Sequence, residues 1–261
     1  MIKIETINFV KSCLPETPHI AIVLGSGLSS LADDLKKIQT IPFENIPFFP
    51  NTTISGHSGQ LVFGFLEDVP VLFSKGRFHI YEGLSEEEVK LPVELFSELG
   101  IPNFILTNSA GCLNKDWNIG DIMMIDGHVD VTFRSTSEIC IMNGLPWYSK
   151  NKINLAHKIA NLYNINLRNG IYAWTLGPTY ETNAEIKFLQ DLGASAVGMS
   201  TFLEIMASKD FGLNFFGFSC LTNYGAGIEN VKLSHKDVLK SANQNQNKFK
   251  KFIKKFILSI K

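Results

Sequence analysis

The chain has 261 residues, 45% of them apolar and 19% charged, a globular composition long enough to bury a core without disulfide or metal staples. Its 24 basic and 25 acidic side chains leave a formal charge of -1, so no global field draws in nucleic acid or an anionic membrane, and any anion site must be local. Cys13, Cys112, Cys140 and Cys220 lie far apart, with neither a C-x-x-C pair nor zinc-ligand spacing; free thiols in a reducing compartment and no metal are expected.

The stretch 1–15 carries Lys3, Glu5 and Lys11 in place of a signal peptide's apolar core, and no run reaches the roughly 20 apolar residues that span a bilayer. A cytoplasmic protein is the expectation. Apolar runs of strand length then recur at 20–24, 61–66, 69–74, 103–107, 121–125, 171–176, 194–199 and 215–222, with helical patterns between them. Short buried runs separated by helices predict an α/β fold around a mixed sheet. Glu67 and Asp68 separate two of the runs, which predicts a hairpin.

Helix starts are legible as capping boxes at Ser85 with Glu88 and Thr182 with Glu185, and in a shorter-armed form at Ser234 with Asp237. The last helix carries Phe249, Phe252, Ile253, Phe256, Ile257 and Ile260 on one stripe and its lysines largely off it, the pattern of a helix packed on a sheet with a solvated basic face. The stretch 130–152 is irregular and reads as a loop.

Candidate chemistry sits at strand ends. Gly25-Ser26-Gly27-Leu28 follows the first strand; its backbone can turn sharply and offer N–H groups to an anion, although a tight turn explains it equally well. It is an incomplete dinucleotide fingerprint, because Ser30 stands where the third glycine belongs, and no Walker lysine follows. Gly56-His57-Ser58-Gly59 fixes no role by itself. The stretch 75–83, KGRFHIYEG, would, if extended, put Arg77, His79 and Tyr81 on one face, a guanidinium for phosphate beside a phenol for a sugar hydroxyl.

Thr107-Asn108-Ser109-Ala110-Gly111 again closes a strand in small residues. Tyr180 and Glu181 precede the capped helix at 182, where Glu181 either complements the helix dipole or accepts from a base edge while Tyr180 stacks on the ring. Val197-Gly198-Met199-Ser200-Thr201 and Thr222-Asn223 end two further strands, and the Asn223 amide can donate or accept.

Taken in order, GSGL (25–28), GHSG (56–59), GRFHIYEG (76–83), TNSAG (107–111), GDIMMI (120–125), GPTYET (177–182), AVGMST (196–201) and SCLTN (219–223) resemble the trimeric purine nucleoside phosphorylase family. The resemblance implies a single α/β domain over 1–261, with a twisted, partly barrel-like mixed sheet flanked by helices, assembled as a homotrimer. It implies phosphorolysis of inosine, guanosine and their 2′-deoxy forms to the free base and α-(deoxy)ribose 1-phosphate, with orthophosphate as co-substrate and no cofactor. By the same resemblance Ser26, His57, Arg77, His79, Ser109 and Ser200 would bind phosphate; Tyr81, Met199 and His235 would contact the ribose; and Tyr180, Glu181, Val197 and Asn223 would hold the base. Asn223, Glu181 and His79 would carry the catalysis.

The chain departs from the family pattern at Cys112, where a second glycine is usual, at Gly127 in place of Asp, and at Leu203 in place of Pro. If position 112 needed a positive φ, its Cβ would cost about 1 kcal/mol. The stretch 131–150 is shorter than the family loop that supplies an aromatic from a neighbouring subunit; the matching residue is left open, with Phe133 a candidate. A methylthioadenosine phosphorylase would carry Asp at 223 and an apolar pocket at 235, against Asn223 and His235 here; a non-catalytic relative is the rival of another class.

Overall fold

In a computed structural model of the chain, residues 1–25, 28–51, 58–134, 138–145, 147–229 and 235–260 are described, with backbone alone for 235–246. They form two compact units, one built from Met1–Thr107, Leu203–Phe216 and Ile257–Lys261, the other from Asn108–Phe202 and Gly217–Phe256.

The first unit holds α1 (Ile4–Cys13), β1 (Ile20–Val23), β2 (Lys36–Pro42), β3 (Gln60–Leu66), β4 (Val69–Lys75), α2 (Glu86–Glu98) and the first half of β5 (Asn103–Cys112). Its strand order is β5-β1-β4-β3-β2. Ile20-Ala21-Ile22-Val23 is apolar on both faces and wholly buried, as a central strand parallel to both neighbours, β4 and β5, must be. The predicted hairpin forms, with Leu66 opposite Val69 across Glu67-Asp68 and Glu67 in the left-handed region that such tight turns use. No apolar run announces β2, because it is an edge strand exposed from Lys36 through Thr40. Helix α2 starts at the Ser85 capping box, the hydroxyl accepting from Glu88 N at 3.2 Å while Glu88 Oε2 accepts from Ser85 N at 2.7 Å.

The second unit holds the rest of β5, β6 (Ile122–Asp130), β7 (Cys140–Asn143), α3 (Lys150–Leu162), β8 (Leu167–Trp174), α4 (Asn183–Asp191), β9 (Ala194–Gly198), most of β10 (Asn214–Tyr224) and most of α6 (His235–Ser259). Of helix α5 (Phe202–Asp210), only Phe202 belongs to this unit and the rest to the first. Parallel β6-β8-β9 form the middle of the sheet, with β10 and β7 antiparallel to β6 and β5 antiparallel to β9. The fold is α/β with a mixed sheet, as expected. Thr182 caps α4 through the predicted box, and Phe249, Phe252, Ile253 and Phe256 of α6 are buried, the rings of Phe252 and Phe256 each 5.0 Å from Phe218. The cap expected at Ser234 lies outside the described residues.

Several local expectations change, among them the loop expected over 130–152, which holds β7 and the first turn of α3. Strand β5 does not end at Thr107: Gly111 and Cys112 pair with Val197 and Ala196, so Ser109 and Gly111 are strand residues where a turn was expected. Cys112 accordingly has ordinary strand geometry and no positive-φ cost; its thiol donates to Asn114 O, and burial pushes its pKa up to about 11. At the other departure, a Cβ on Gly127 would meet Met142 O at 2.9 Å, and the β6 register shifts beside it. A bulge pressed against β7 leaves no room there for a side chain.

Candidate functional site

In the first unit the end of β1 is tied to β5 by Thr107, whose hydroxyl accepts from Gly25 N at 3.1 Å and donates to Val23 O at 2.9 Å. Ser26 and His57 lie outside the described residues. Where β4 ends, the Arg77 guanidinium is buried, and its Nη1 donates to Thr107 O at 2.8 Å. Its Nε and Nη2 both donate to Glu204 of α5, at 3.2 and 3.1 Å to Oε1, with Nη2 also 3.0 Å from Oε2. Nη2 meets both Glu204 oxygens, so of the guanidinium's N–H groups one on Nη1 stays outside these contacts.

The chain does not stay extended past His79, and residues 77, 79 and 81 do not form the single extended face the sequence suggested. His79 caps a single 3-10 turn, Ile80–Glu82, which swings Tyr81 back over the imidazole, ring centroids 4.7 Å apart at 23°. Glu82 Oε1 accepts from both His79 N, at 3.0 Å, and His79 Nδ1, at 3.1 Å. A carboxylate only accepts, so in this pair Nδ1 carries the proton.

In the second unit, small residues let three strands approach closely. A Cβ on Gly111 would lie 3.2 Å from Val197 Cγ1 and 3.3 Å from Asn223 Nδ2, which places the Asn223 amide against β5 at the glycine where Val197 of β9 also packs. Asn223 Oδ1 accepts from the Thr222 hydroxyl at 3.0 Å and Nδ2 donates to Tyr224 O at 3.0 Å, so one N–H and one lone pair of the amide remain outside these bonds. Past β9, Gly198 O accepts from Thr175 N at 3.0 Å, and the Thr175 hydroxyl donates to Glu181 Oε1 at 2.8 Å. Asn223, Val197 and Glu181 are thereby linked through neighbouring backbone. Tyr180 and Glu181 line a cleft of about 360 Å³ whose apolar wall is Phe133, Phe188 and Leu189; Val197 and Asn223 do not line it.

Met199 and Ser200 follow β9 in a turn that Tyr172 supports from below: Ser200 N donates to the Tyr172 hydroxyl at 3.4 Å, and a Cβ on Gly198 would overlap that hydroxyl. Ser200 Oγ lies 3.1 Å from Thr201 Oγ1, which accepts from Asn108 Nδ2 at 2.9 Å. Thr201 is buried at φ 74°, a conformation rare for a β-branched residue. Ser109 is half-buried on β5, and of His235 only its backbone at the start of α6 is described.

Sequence reasoning missed Glu204, Thr175, Tyr172 and Asn108. Asn108 stood inside the TNSAG stretch without a role of its own, and the other three belong to no Gly-rich or polar cluster; each acts by holding another residue, which only the tertiary contacts display. Among the described residues no group of three or more His, Cys, Asp or Glu side chains could hold a metal ion, and no helix is long and apolar enough to cross a membrane.

The sequence matches the model of the phosphorylase superfamily over residues 19–258. It is 40% identical over 259 residues to purine nucleoside phosphorylase 1 of Bacillus subtilis, covering 95% of each chain, and 35% identical to the Bos taurus purine nucleoside phosphorylase, covering 98% of this chain and 94% of the relative. Among solved structures, the Schistosoma mansoni purine nucleoside phosphorylase in complex with inosine superposes with a TM-score of 0.87 at 31% identity, over 98% of this chain and 96% of that one. A Schistosoma mansoni purine nucleoside phosphorylase in complex with adenosine gives the same score, over 97% of this chain and 94% of that one.

Proposed function

The chain belongs to the phosphorylase superfamily and cleaves purine nucleosides by phosphorolysis to the free base and ribose 1-phosphate, and we propose that the residues described above divide that reaction between the two reactants. Arg77 and His79, with Ser26 and His57, hold orthophosphate; Ser109 and Ser200 add donors; Tyr81, Met199 and His235 contact the ribose; Tyr180, Glu181, Val197 and Asn223 hold the purine. Orthophosphate attacks the anomeric carbon as the glycosidic bond opens, and its negative charge stabilises the cationic sugar of the transition state. No protein nucleophile is needed, so the product is the inverted α-ribose 1-phosphate.

The base leaves with the electrons of the bond, and charge develops on the ring. A donor placed in advance where that charge appears lowers the barrier. The Asn223 N–H outside its internal hydrogen bonds suits N7 of the purine, and Glu181 suits N1–H of hypoxanthine or guanine. Adenine presents a lone pair at N1, leaving the carboxylate poorly satisfied, so the reading includes a preference for 6-oxopurines. The observation that carries it is the linkage of Asn223, Val197 and Glu181 through Gly111, Gly198 and Thr175. The reading also takes 1–261 as one functional domain, a homotrimer of a cytoplasmic enzyme.

An absorbance assay with inosine, guanosine, adenosine and methylthioadenosine, each with and without orthophosphate, tests the reading. It predicts phosphate-dependent turnover of inosine and guanosine well above the other two. Turnover without phosphate, or methylthioadenosine as the best substrate, would overturn it.

A further inference from the structure

Glu181 stands where β8 has ended and α4 has not begun, between the end of the strand at Trp174 and the cap residue Thr182. A glutamate in such a connection has three side-chain torsions, and fixing them only when a base arrives would cost affinity. The neighbouring Thr175 removes that freedom beforehand. Its hydroxyl donates to Glu181 Oε1 at 2.8 Å, while its own N–H is anchored on Gly198 O at 3.0 Å. Both residues line the cleft that also holds Tyr180.

We infer that Thr175 is a positioning residue for base recognition: it holds one oxygen of the Glu181 carboxylate so that the other is set to accept from the purine. This rests on the base-orienting role of Glu181 given above. A hydroxyl has one hydrogen, and the short bond to Oε1 spends it; the longer 3.4 Å approach to Gly198 O is its only competitor among the described contacts. Oε1 is thereby assigned to the protein and Oε2 to the ligand. The anchor on Gly198 links the carboxylate to the end of β9, which also carries Val197, so a shift of the strand end moves the carboxylate with it.

The specificity consequence follows from geometry. A carboxylate held at one oxygen meets the N1–H of a 6-oxopurine without reorganising, whereas a mobile one loses the advantage of that donor over a 6-aminopurine. Thr175 therefore sharpens the discrimination as well as the affinity.

The test compares wild type, Thr175→Val, Thr175→Ser, Glu181→Ala and the double variant Thr175→Val/Glu181→Ala. Valine keeps the shape and deletes the donor. Thr175→Val should lower kcat/KM for inosine and guanosine on the order of tenfold, as losing one hydrogen bond to a charged group does, leave KM for orthophosphate unchanged, and narrow the inosine-to-adenosine ratio. Thr175→Ser should restore most of the loss, and Thr175→Val should add nothing once Glu181 is gone. Wild-type kinetics for Thr175→Val while Glu181→Ala is crippled would overturn the role of Thr175 alone, as would an equal loss on every substrate and on phosphate, or a serine variant no better than valine. Unchanged inosine turnover in Glu181→Ala would remove the base-orienting reading itself.

Discussion

Arg77 and Glu204, 127 residues apart in sequence, form an ion pair at 3.0 Å with each side chain 2% exposed. The pair fixes the Arg77 guanidinium in place. Two sides of the guanidinium are spent on Glu204 and Thr107, so the fork cannot swing, and its charge is already balanced by a buried carboxylate. Burying such a pair gives little net stability, but removing one member leaves the other charged and dry. Glu204→Ala is therefore expected to cost about 3–5 kcal/mol in urea unfolding and to raise KM for orthophosphate. A loss below about 1 kcal/mol would mean that solvent reaches the guanidinium after all.

The close approach of Gly198 to Tyr172 makes a second prediction. Any Cβ at 198 overlaps the tyrosine hydroxyl that accepts from Ser200 N, so Gly198→Ala must push the turn carrying Met199 and Ser200 off its support. The expected effect is about 1–3 kcal/mol of destabilisation together with a raised KM for orthophosphate. Adding Tyr172→Phe removes the overlapping oxygen and should recover part of the stability; no recovery would place the clash elsewhere.

His128 on β6 gives a pH dependence with a definite sign. It is fully enclosed by Tyr148, Tyr172 and Phe202, and its Nδ1 pairs with the Tyr148 hydroxyl. Burial lowers its pKa from 6.5 to about 3, while burial and then the nearby Asp126 charge raise that of Tyr148 well above 10. At neutral pH, therefore, Tyr148 donates and a neutral imidazole accepts. Between about 6.5 and about 3 the unfolded chain takes up a proton at this site that the folded chain refuses. The stabilising contribution is full above about pH 6.5 and falls as the pH drops, by about 1.4 kcal/mol per unit. His128→Gln should lose that part of the slope in urea midpoints measured from neutral to mildly acidic pH; parallel profiles for the two proteins would count against it.

For the chemical step, Asn223→Ala should lower kcat for inosine about a hundredfold, the range for losing one preorganised donor. Glu181→Ala should instead act on kcat/KM for inosine and guanosine while leaving the phosphate KM alone. Single-turnover rates with saturating nucleoside separate the two, and an Asn223→Ala enzyme with wild-type turnover would sink the leaving-group role.

Local patterns carried much of the architecture. The apolar runs placed most strands, the Glu67-Asp68 turn placed the β3–β4 hairpin, and Ser85 and Thr182 marked two helix starts, because turns and caps are satisfied by residues a few positions away. Strand β2 escaped notice, since an exposed edge needs no apolar run. Strand β5 ran on past Thr107 because Gly111 and Cys112 find partners on β9, information that no window of sequence around them contains.

The candidate site divides along the same line. Gly-rich and polar clusters at strand ends singled out Arg77, His79, Glu181 and Asn223 as candidates, because polar side chains beside glycines stand out against an apolar core. What the sequence could not say is which of their atoms are already engaged. Glu204 occupies the fork of Arg77, Glu82 fixes the tautomer of His79, and Thr175 claims one oxygen of Glu181. The Arg77–Glu204 bond spans 127 positions, while Thr175 acts over only 6 and looks like any strand-end threonine. Hydrogen bonds are directional and short, so which donor meets which acceptor is decided only when the chain has folded and brought their atoms within about 3 Å.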